Sequence, residues 1–460
     1  MTTRWHKPAL DYIPRWLDYQ IKLNKQPGCC VAVAYRGRLL FDMAFGLANA
    51  GGKTPLSSQH GFRVASHSKS FTASGVLRLR ELGKLRLDDP IGRYVNDLHP
   101  EVAEVTLAQL LSHSAGLVRD GDNCGQWVDR RPFLNEQEML KDLSGGPTIP
   151  PNTRFKYSNH GYGLIGVAIE SIVGESWASW IQRNIVEAAG LKHTFPDMPG
   201  NTAGTPMPLA SGHTRELSDG KRRIIPGDNP THALAPATGF VSTAGDLARF
   251  FAQLAPNAKR SILSPASRRE LIRRQWTDTC SSEPRDYGLG IISGKVADWP
   301  FFGHSGGFQG FITRTACLPE QELTLSVLTN AADGMAGLWL DGIINILQAF
   351  ASNGPPTRKV AGWGGRWCGL WGTIDLVPVG NRVLATSPEQ TSPMQDATEI
   401  EVVSRDHGRI VAVSGFGSYG EEVCQVRSAK GTVTDVYFAG MRMTSQRKLE
   451  RELHKRYRER

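Results

Sequence analysis

The sequence lacks any pairing pattern among its cysteines. It has seven, an odd number, and none of them stands in a Cys-x-x-Cys pair. They are Cys29, Cys30, Cys124, Cys280, Cys317, Cys368 and Cys424. Cysteines scattered in this way indicate neither a disulfide framework nor a zinc site, and they fit free thiols in a reducing compartment. We therefore expect no metal site.

Long apolar runs are also missing. No stretch approaches the roughly 18 unbroken apolar residues of a membrane-spanning helix. The beginning of the chain, MTTRWHKPALDYIPRWLDYQ, carries a charged or polar side chain every few positions and so has no apolar core of a secretory signal peptide. We expect a cytoplasmic protein without a membrane partner.

What the sequence does contain is ample material for a globular core. Hydrophobic residues make up 40% and charged residues 21% of its 460 positions. This length exceeds the roughly 100–200 residues of one ordinary domain, so we expect more than one. Lys and Arg exceed Asp and Glu by nine, and residues 442–460, with eight basic and three acidic side chains, account for five of that excess. A basic balance concentrated in one tail is weak support for a nucleic-acid partner, and we expect none.

Hydrophobic periodicity predicts a sheet assembled from distant pieces of the chain. Strand-like runs cover 29–35, 39–46, 287–293, 310–318 and 322–329. Helical spacing appears over 8–25 and 335–351, and in stretches that begin near Ser66, Thr106, Gly161 and Thr243. Because strands lie at both ends of this segment with helices between them, we expect an α/β sandwich.

The hydrophobic pattern of the sequence changes after Asn353-Gly354-Pro355-Pro356, which is the segment most typical of a linker in the chain. Beyond it, short alternating strands with turn residues between them predict a small antiparallel barrel or sandwich. We predict a first domain over 1–353, a barrel over 357–445 and a basic tail over 446–460.

Three Ser-x-x-Lys tetrads occur, beginning at Ser66, Ser218 and Ser445. Ser218 lies in a polar turn and Ser445 in the charged tail, where neither side chain could be removed from water. Ser66 follows the apolar FRVA and precedes a helical stretch, so its oxygen and Lys69, one turn on, share a face near the positive end of a helix. The tetrad alone also allows Ser66 to be a helix cap without a catalytic role.

Tyr157 and Asn159 stand two residues apart in FKYSNH, just before an apolar helix. Side chains two apart project the same way from an extended segment, so they could present a phenol as proton relay and an amide as hydrogen-bond donor to a substrate carbonyl. A second such pair, Tyr94 and Asn96, fits better as a turn at a helix end.

The segment His304-Ser305-Gly306 lies between two further glycines. Small residues there would let substrate backbone lie against the strand edge and let the Gly307 N–H serve as an oxyanion donor. The same letters also form Gly-x-Ser-x-Gly, the nucleophile elbow of α/β-hydrolases. An elbow at Ser305 needs a helix after it and a later histidine, and only His407 and His454, both beyond the linker, follow it. We disfavour the elbow.

The order of Ser-x-x-Lys, Tyr-x-Asn and His-x-Gly along the chain resembles that of the penicillin-recognising serine hydrolases. This family includes class C β-lactamases, DD-peptidases, carboxylesterases and D-aminopeptidases. Six blocks are similar to the family's, in its usual order: GKLRLDDPI, TLAQLLSHSAGL, PNTRFKYSNHGYGLIG, ATGFVSTAGDLARF, YGLGI and GHSGGFQGF. The resemblance implies a β-lactamase-like sandwich, with a central antiparallel sheet, flanking helices and an all-helical subdomain, followed by a small lipocalin-like antiparallel barrel.

The resemblance also implies roles for residues. Ser66 would be the nucleophile, Lys69 the neutral amine that accepts its proton, and Tyr157 the group that passes protons onward. The backbone N–H groups of Ser66 and Gly307 would form the oxyanion hole, with Asn159 and Gly306 in contact with substrate. The implied chemistry is acyl transfer without metal or cofactor.

The sequence departs from the β-lactamases at the third motif, His-x-Gly, where His304 stands in place of a lysine. A His-x-Gly there is similar to D-aminopeptidases, D-amino-acid amidases and some esterases, and histidine is largely neutral near pH 7. We therefore expect His304 in the catalytic site and a small amide or peptide substrate that contains a D-configured residue. A carboxylesterase is the alternative, and a β-lactamase, DD-peptidase or non-turnover penicillin-binding protein is less favoured. The sequence leaves homo-oligomers open.

Overall fold

The computed structural model describes residues 5–199, 205, 207–279, 285–415 and 417–458, and these form two compact units. One unit runs from Gln26 to Leu340, and the other joins the residues before 26 to those from Asp341 onward. The domain bounds predicted from the linker stay a prediction. Cys280 lies outside the described residues, and the other six cysteines are free thiols.

The unit from Gln26 to Leu340 contains a large antiparallel sheet. The strands described in it are β1 (Gly28–Tyr35), β2 (Arg38–Asn49), β3 (Thr54–Pro55), β4 (Phe62–Arg63), β5 (Gly212–His213), β6 (Ile224–Ile225), β7 (Val241–Ser242), β8 (Trp276–Asp278), β9 (Arg285–Tyr287), β10 (Ile292–Val296), β11 (Trp299–Phe308), β12 (Phe311–Leu318) and β13 (Leu323–Thr329). In the described part of the chain, nine of them form one sheet in the order β3-β2-β1-β13-β12-β11-β10-β9-β8. The pairs β4–β7 and β5–β6 stand apart. The predicted sheet from distant pieces is thus present.

Central strands are buried on both faces. Every residue of β13 is buried, and in β1 only Tyr35 is not. Continuous burial of this kind is typical of strands covered on both sides, and the polar Thr324, Ser326 and Thr329 of β13 are buried with the rest. The register pairs Val31 of β1 with Met43 on one side and Val327 on the other.

The predicted strand over 287–293 is wrong in its middle. Residues 288–291 form a loop between β9 and β10. Gly290 has a positive φ of 68°, and its carbonyl accepts a hydrogen bond of 2.7 Å from the Ser70 hydroxyl. The apolar residues of this block therefore belong to a loop that is buried against a helix. Hydrophobic periodicity does not distinguish such a loop from a short strand.

Of the described helices, the one over Ala244–Leu254 packs against β1, β2, β12 and β13, and six lie between β4 and β5 in chain order. The helices described are α1 (His6–Leu23), α2 (Ser68–Glu81), α3 (Pro100–Ala103), α4 (Leu107–Leu111), α5 (Glu136–Leu143), α6 (Asn159–Val173), α7 (Trp177–Ile181), α8 (Ala235–Thr238), α9 (Ala244–Leu254), α10 (Pro265–Ile272), α11 (Ala336–Asn353) and α12 (Gln446–Arg456). The hydroxyls of Thr106, Ser158 and Thr243 cap α4, α6 and α9 by accepting backbone N–H bonds. All four helices predicted inside this unit are therefore present.

The second unit contains a closed barrel. Its strands are β14 (Gly365–Gly369), β15 (Gly372–Val379), β16 (Arg382–Thr386), β17 (Thr398–Val402), β18 (His407–Ala412), β19 (Glu422–Arg427), β20 (Val433–Phe438) and β21 (Met441–Thr444). Among the described residues, these eight pair in chain order and β21 closes on β14. Trp363, Trp367 and Leu376 are buried in its core. The predicted antiparallel barrel is confirmed.

No single helix in the described ranges is both long and apolar enough to cross a membrane. The pair Asn159–Val173 and Trp177–Glu187, bent by 80°, passes the same length and composition test only when its two halves are taken together.

A buried carboxylate ties α1 to the barrel. Asp375 is fully buried, accepts two bonds of 2.7 Å from the Arg366 guanidinium, and accepts a third of 3.0 Å from the Tyr12 hydroxyl. Burial and the Asp375 carboxylate raise the pKa of Tyr12, which keeps this phenol a donor.

Removing the carboxylate should destabilise this unit strongly. We expect Asp375→Ala to lower the free energy of urea unfolding by about 3–5 kcal/mol, because a guanidinium loses its buried partner. The matched variant Tyr12→Phe removes one hydrogen bond and should cost about 1 kcal/mol. Equal effects of the two substitutions would contradict the assignment of Asp375 as the centre of this contact.

Candidate active site

Ser66 lies in a short 3₁₀ turn, Ala65–His67, that leads directly into α2. Ala65 has a positive φ of 49°, a conformation that costs energy for a residue with a Cβ. The Ser66 Oγ lies 2.7 Å from the Tyr157 hydroxyl and 3.3 Å from the Lys69 Nζ. The structure thus brings together three residues that are up to 91 positions apart in the sequence.

The Lys69 amine is completely buried and surrounded by oxygen atoms. Besides Ser66, its Nζ lies 2.7 Å from the Asn159 Oδ1 and 2.9 Å from the Ala237 carbonyl. Burial lowers the pKa of Lys69 well below its ordinary value, although the Asp120 carboxylate acts in the opposite direction. A neutral amine has two N–H groups and one lone pair, so it can donate to Asn159 and Ala237 and accept from the Ser66 hydroxyl.

Tyr157 completes this chain of hydrogen bonds. Burial raises the pKa of its phenol, so the hydroxyl keeps its proton and donates to the Ser66 Oγ. The Tyr157 ring packs against the buried His113 ring at a centroid distance of 4.1 Å, and the Arg119 guanidinium lies 5.2 Å from its centre. Ser66 therefore accepts from a phenol on one side and has an amine on the other.

Asn159 sits between Lys69 and a carboxylate. Its Oδ1 accepts from Lys69, and its Nδ2 donates to the Asp120 Oδ1 at 2.6 Å. Asp120 itself pairs with the exposed Arg119 at 3.0 Å. Because one Nδ2 hydrogen already has a partner, only the second could reach a substrate carbonyl, and the substrate contact of Asn159 stays a prediction.

The glycines of β11 bring this strand close to the turn that carries Ser66. A Cβ at Gly306 would lie 2.2 Å from the Val64 carbonyl oxygen, so only glycine allows this approach. Gly307 is exposed, and a Cβ there would meet only an Ile312 methyl at 3.7 Å. Within the described ranges, β11 pairs beyond Gly303 with β12 alone, so one edge of the strand has no ladder partner beside Gly307. This arrangement suits a backbone donor, and the oxyanion role of Gly307 stays a prediction.

His304 is buried within the same strand. Its Nε2 lies 3.1 Å from the Tyr287 hydroxyl and its Nδ1 lies 2.7 Å from the Ser305 carbonyl oxygen. Burial, with His67 nearby, lowers the pKa of His304 well below its ordinary value. Both ring nitrogens of His304 thus have partners among the described residues. A catalytic role of His304 stays a prediction.

The alternatives noted in the sequence do not assemble comparable sites. Ser305 lies inside β11, and the next element is strand β12 rather than a helix, so the structure excludes a nucleophile elbow. Ser218 is exposed in a turn, and Ser445 precedes the exposed helix α12. Only the tetrad at Ser66, among the described residues, has a buried lysine.

Sequence reasoning missed the groups that hold Lys69 and Tyr157 in place. His113 and Ala237 lie in blocks that matched the family, but nothing in the letters shows that a ring packs on Tyr157 or that a carbonyl accepts from Lys69. Asp120 gave no signal, since a carboxylate in a loop is usually a solvated charge.

The sequence matches the beta-lactamase family over residues 18–343. The chain belongs to this family. Over 327 residues it is 28% identical to penicillin-binding protein 4 of Amycolatopsis lactamdurans, an alignment that covers 66% of this chain and 81% of that protein. Over 362 residues it is 26% identical to esterase EstB of Burkholderia gladioli, covering 70% and 90%.

Solved structures share the fold of this beta-lactamase family chain. The octameric penicillin-binding protein homologue from Pyrococcus abyssi superimposes with a TM-score of 0.66 at 21% identity, covering 95% of this chain and 99% of that one. The D-amino acid amidase from Ochrobactrum anthropi SV3, complexed with D-phenylalanine, gives 0.61 at 22% identity, covering 75% and 99%. The chain is thus a β-lactamase-like serine hydrolase by family and fold.

The two glycines of β11 offer a matched pair of variants. We expect Gly306→Ala to lower stability by about 1–3 kcal/mol and the rate of substrate hydrolysis by at least about tenfold, because its methyl group pushes β11 away from the Ser66 turn. Gly307→Ala should keep wild-type stability, since its methyl group would make only an ordinary van der Waals contact with Ile312. Thermal unfolding measures the stability of each variant, and steady-state hydrolysis measures its rate. A Gly306→Ala protein with wild-type stability and rate would contradict the close approach.

Proposed function

We propose that this protein hydrolyses small amides or peptides through an acyl-enzyme on Ser66. The observation that carries the proposal is the hydrogen-bonded chain from Tyr157 through Ser66 to Lys69. A buried lysine is a usable base because burial favours its neutral form, and a neighbouring base is what makes a serine hydroxyl nucleophilic.

The first half of the proposed reaction forms the acyl-enzyme. As the Ser66 Oγ attacks the substrate carbonyl carbon, its proton passes to the Lys69 amine. The backbone N–H groups of Ser66 and Gly307 bind the oxyanion, and one such donor typically contributes about 10²–10³ in rate. The C–N bond then breaks, and the departing amine receives the Lys69 proton by way of the Tyr157 hydroxyl.

The second half is hydrolysis. Water attacks the Ser66 ester, and its proton passes to Lys69 along the same path. The ester bond breaks, the Ser66 oxygen regains a proton, and the carboxylic acid leaves. Each proton transfer uses a group already within hydrogen-bond reach of Ser66, so the cycle needs no other titratable residue.

Three features support an amino-acid amide as substrate, and the first two support a D-configured residue. The third motif, at residues 304–306, is His-x-Gly, which is similar to that of the family's D-aminopeptidases and amidases. The D-amino acid amidase from Ochrobactrum anthropi shares the fold. The Asp120 carboxylate, 12% exposed and hydrogen-bonded to Asn159, could accept a hydrogen bond from the free amino group of a substrate.

An esterase is the second candidate, supported by the similarity to EstB. Esters need less protonation of the leaving group, so the same three residues would suffice. A β-lactamase, DD-peptidase or non-turnover penicillin-binding protein is less favoured, because His304 is buried and neutral and supplies no permanent charge for a substrate carboxylate.

A homo-oligomer is supported by the octameric relative from Pyrococcus abyssi. Nucleic acid and membranes are not among the partners that we propose, and a cytoplasmic location stays a prediction.

A matched substrate panel tests the proposal. We expect D-aminoacyl anilides to be hydrolysed faster than their L-counterparts and simple nitrophenyl esters to be accepted as well. Ser66→Ala should reduce all of these rates by at least about 10⁴-fold. Turnover of esters alone would favour the esterase candidate.

Two serine variants are the controls. Ser218→Ala alters another Ser-x-x-Lys tetrad, and Ser305→Ala alters the serine of the excluded elbow. Both should retain turnover within a few fold of wild type. Activity that survives Ser66→Ala, or that disappears in either control, would overturn the assignment of the nucleophile.

A further inference from the structure

Three potential metal ligands meet on the solvent face of the barrel. His407 begins β18, and Glu422 and Cys424 lie on the neighbouring strand β19. A ring nitrogen of His407, a carboxylate oxygen of Glu422 and the Sγ of Cys424 all lie within 4.8 Å of one another. Among the described residues, no other group of three such ligands comes this close.

We propose that His407, Glu422 and Cys424 form a binding site for a divalent transition-metal ion of the zinc type. The site lies wholly within the barrel and is independent of the hydrolase chemistry proposed for Ser66.

The distances fit a tetrahedral ion. Zinc binds sulfur at about 2.3 Å and nitrogen or oxygen at about 2.0–2.2 Å, which places ligand atoms about 3.5 Å apart along the edges of a tetrahedron. The Cys424 Sγ lies 3.3 Å from the His407 Nδ1 and 4.0 Å from the Glu422 Oε2. The third edge, from the His407 ring to the Glu422 carboxylate, is within 4.8 Å and must shorten by up to about 1.5 Å to fit a tetrahedron. Side-chain movements of this size would close the ligand set around an ion.

The strand register holds the ligands on one face. His407 and Cys424 are directly opposite each other in the β18–β19 ladder, and Glu422, two residues from Cys424, shares its face. The intervening Val423 points inward and is fully buried, which fixes this orientation. A β-ladder supplies more rigid ligand positions than a loop does.

The ligand types select the ion. Thiolate and imidazole together favour zinc and neighbouring transition metals over magnesium or calcium, which prefer oxygen ligands. All three side chains are at least partly exposed, so water can occupy the fourth position. Without an ion, the short contact between Cys424 and His407 is a thiol–imidazole hydrogen bond, and the test must separate these two cases.

Cobalt(II) is the probe, because a thiolate ligand gives it a near-ultraviolet charge-transfer band and tetrahedral geometry gives it strong visible bands. We expect reduced, chelator-treated, tag-free full-length protein to develop both bands with one equivalent of Co²⁺ and to lose them when Zn²⁺ is added. Cys424→Ser should lose the charge-transfer band, and Glu422→Gln should weaken Co²⁺ binding at least about tenfold.

Cys124→Ser is the matched control. Cys124 is exposed, and among the described residues its Sγ donates only to the backbone carbonyls of Asp120 and Gly121, so this variant should keep the band. Circular dichroism verifies that each variant folds. A wild-type protein without the charge-transfer band, or a band that persists in Cys424→Ser, would overturn the proposal.

Discussion

The amine of Lys69, removed from water and held between oxygen atoms, is the interaction on which the proposed chemistry depends. Burial of an ammonium group costs several kcal/mol, and the cost falls when the group loses its proton. Among the described residues, the groups around this amine include neutral acceptors from Asn159 and Ala237 and one indirect carboxylate, Asp120. They therefore stabilise an amine without holding it charged. A full ion pair with Lys69 would remove the base that Ser66 requires.

The rest of the unit from Gln26 to Leu340 excludes water from the Lys69 amine and holds it in place. Helix α2 is buried along almost its whole length, and its hydroxyl side chains donate to backbone carbonyls. These include Ser70, which donates to the loop between β9 and β10, and Thr72, which donates to Pro236. A buried helix rich in hydroxyls is stable only when each has a partner. On the opposite side, Gly306 lets β11 approach the turn of Ser66.

The residues predicted from sequence were those whose chemistry is local. Ser66 and Lys69 are one helical turn apart, and Tyr157 immediately precedes a capped helix, so short motifs specify both. The helices and the barrel followed from periodicity, whereas the block at 287–293 did not, because an apolar loop and an apolar strand have similar composition. His113, Ala237 and Asp120 could not be predicted as neighbours of the site, since their contacts depend on tertiary packing. The burial of His304 behind Tyr287 was hidden for the same reason.

The most direct test is the protonation state of Lys69 in the resting protein. Lysine labelled with ¹³C at Cε reports its own titration by NMR, and a Lys69→Gln variant identifies the resonance. We predict that Lys69 titrates well below the value of about 10.4 for ordinary lysines, so that its amine is neutral where they remain charged. A Lys69 that titrates together with the exposed lysines would contradict the account, because a charged amine cannot accept the Ser66 proton.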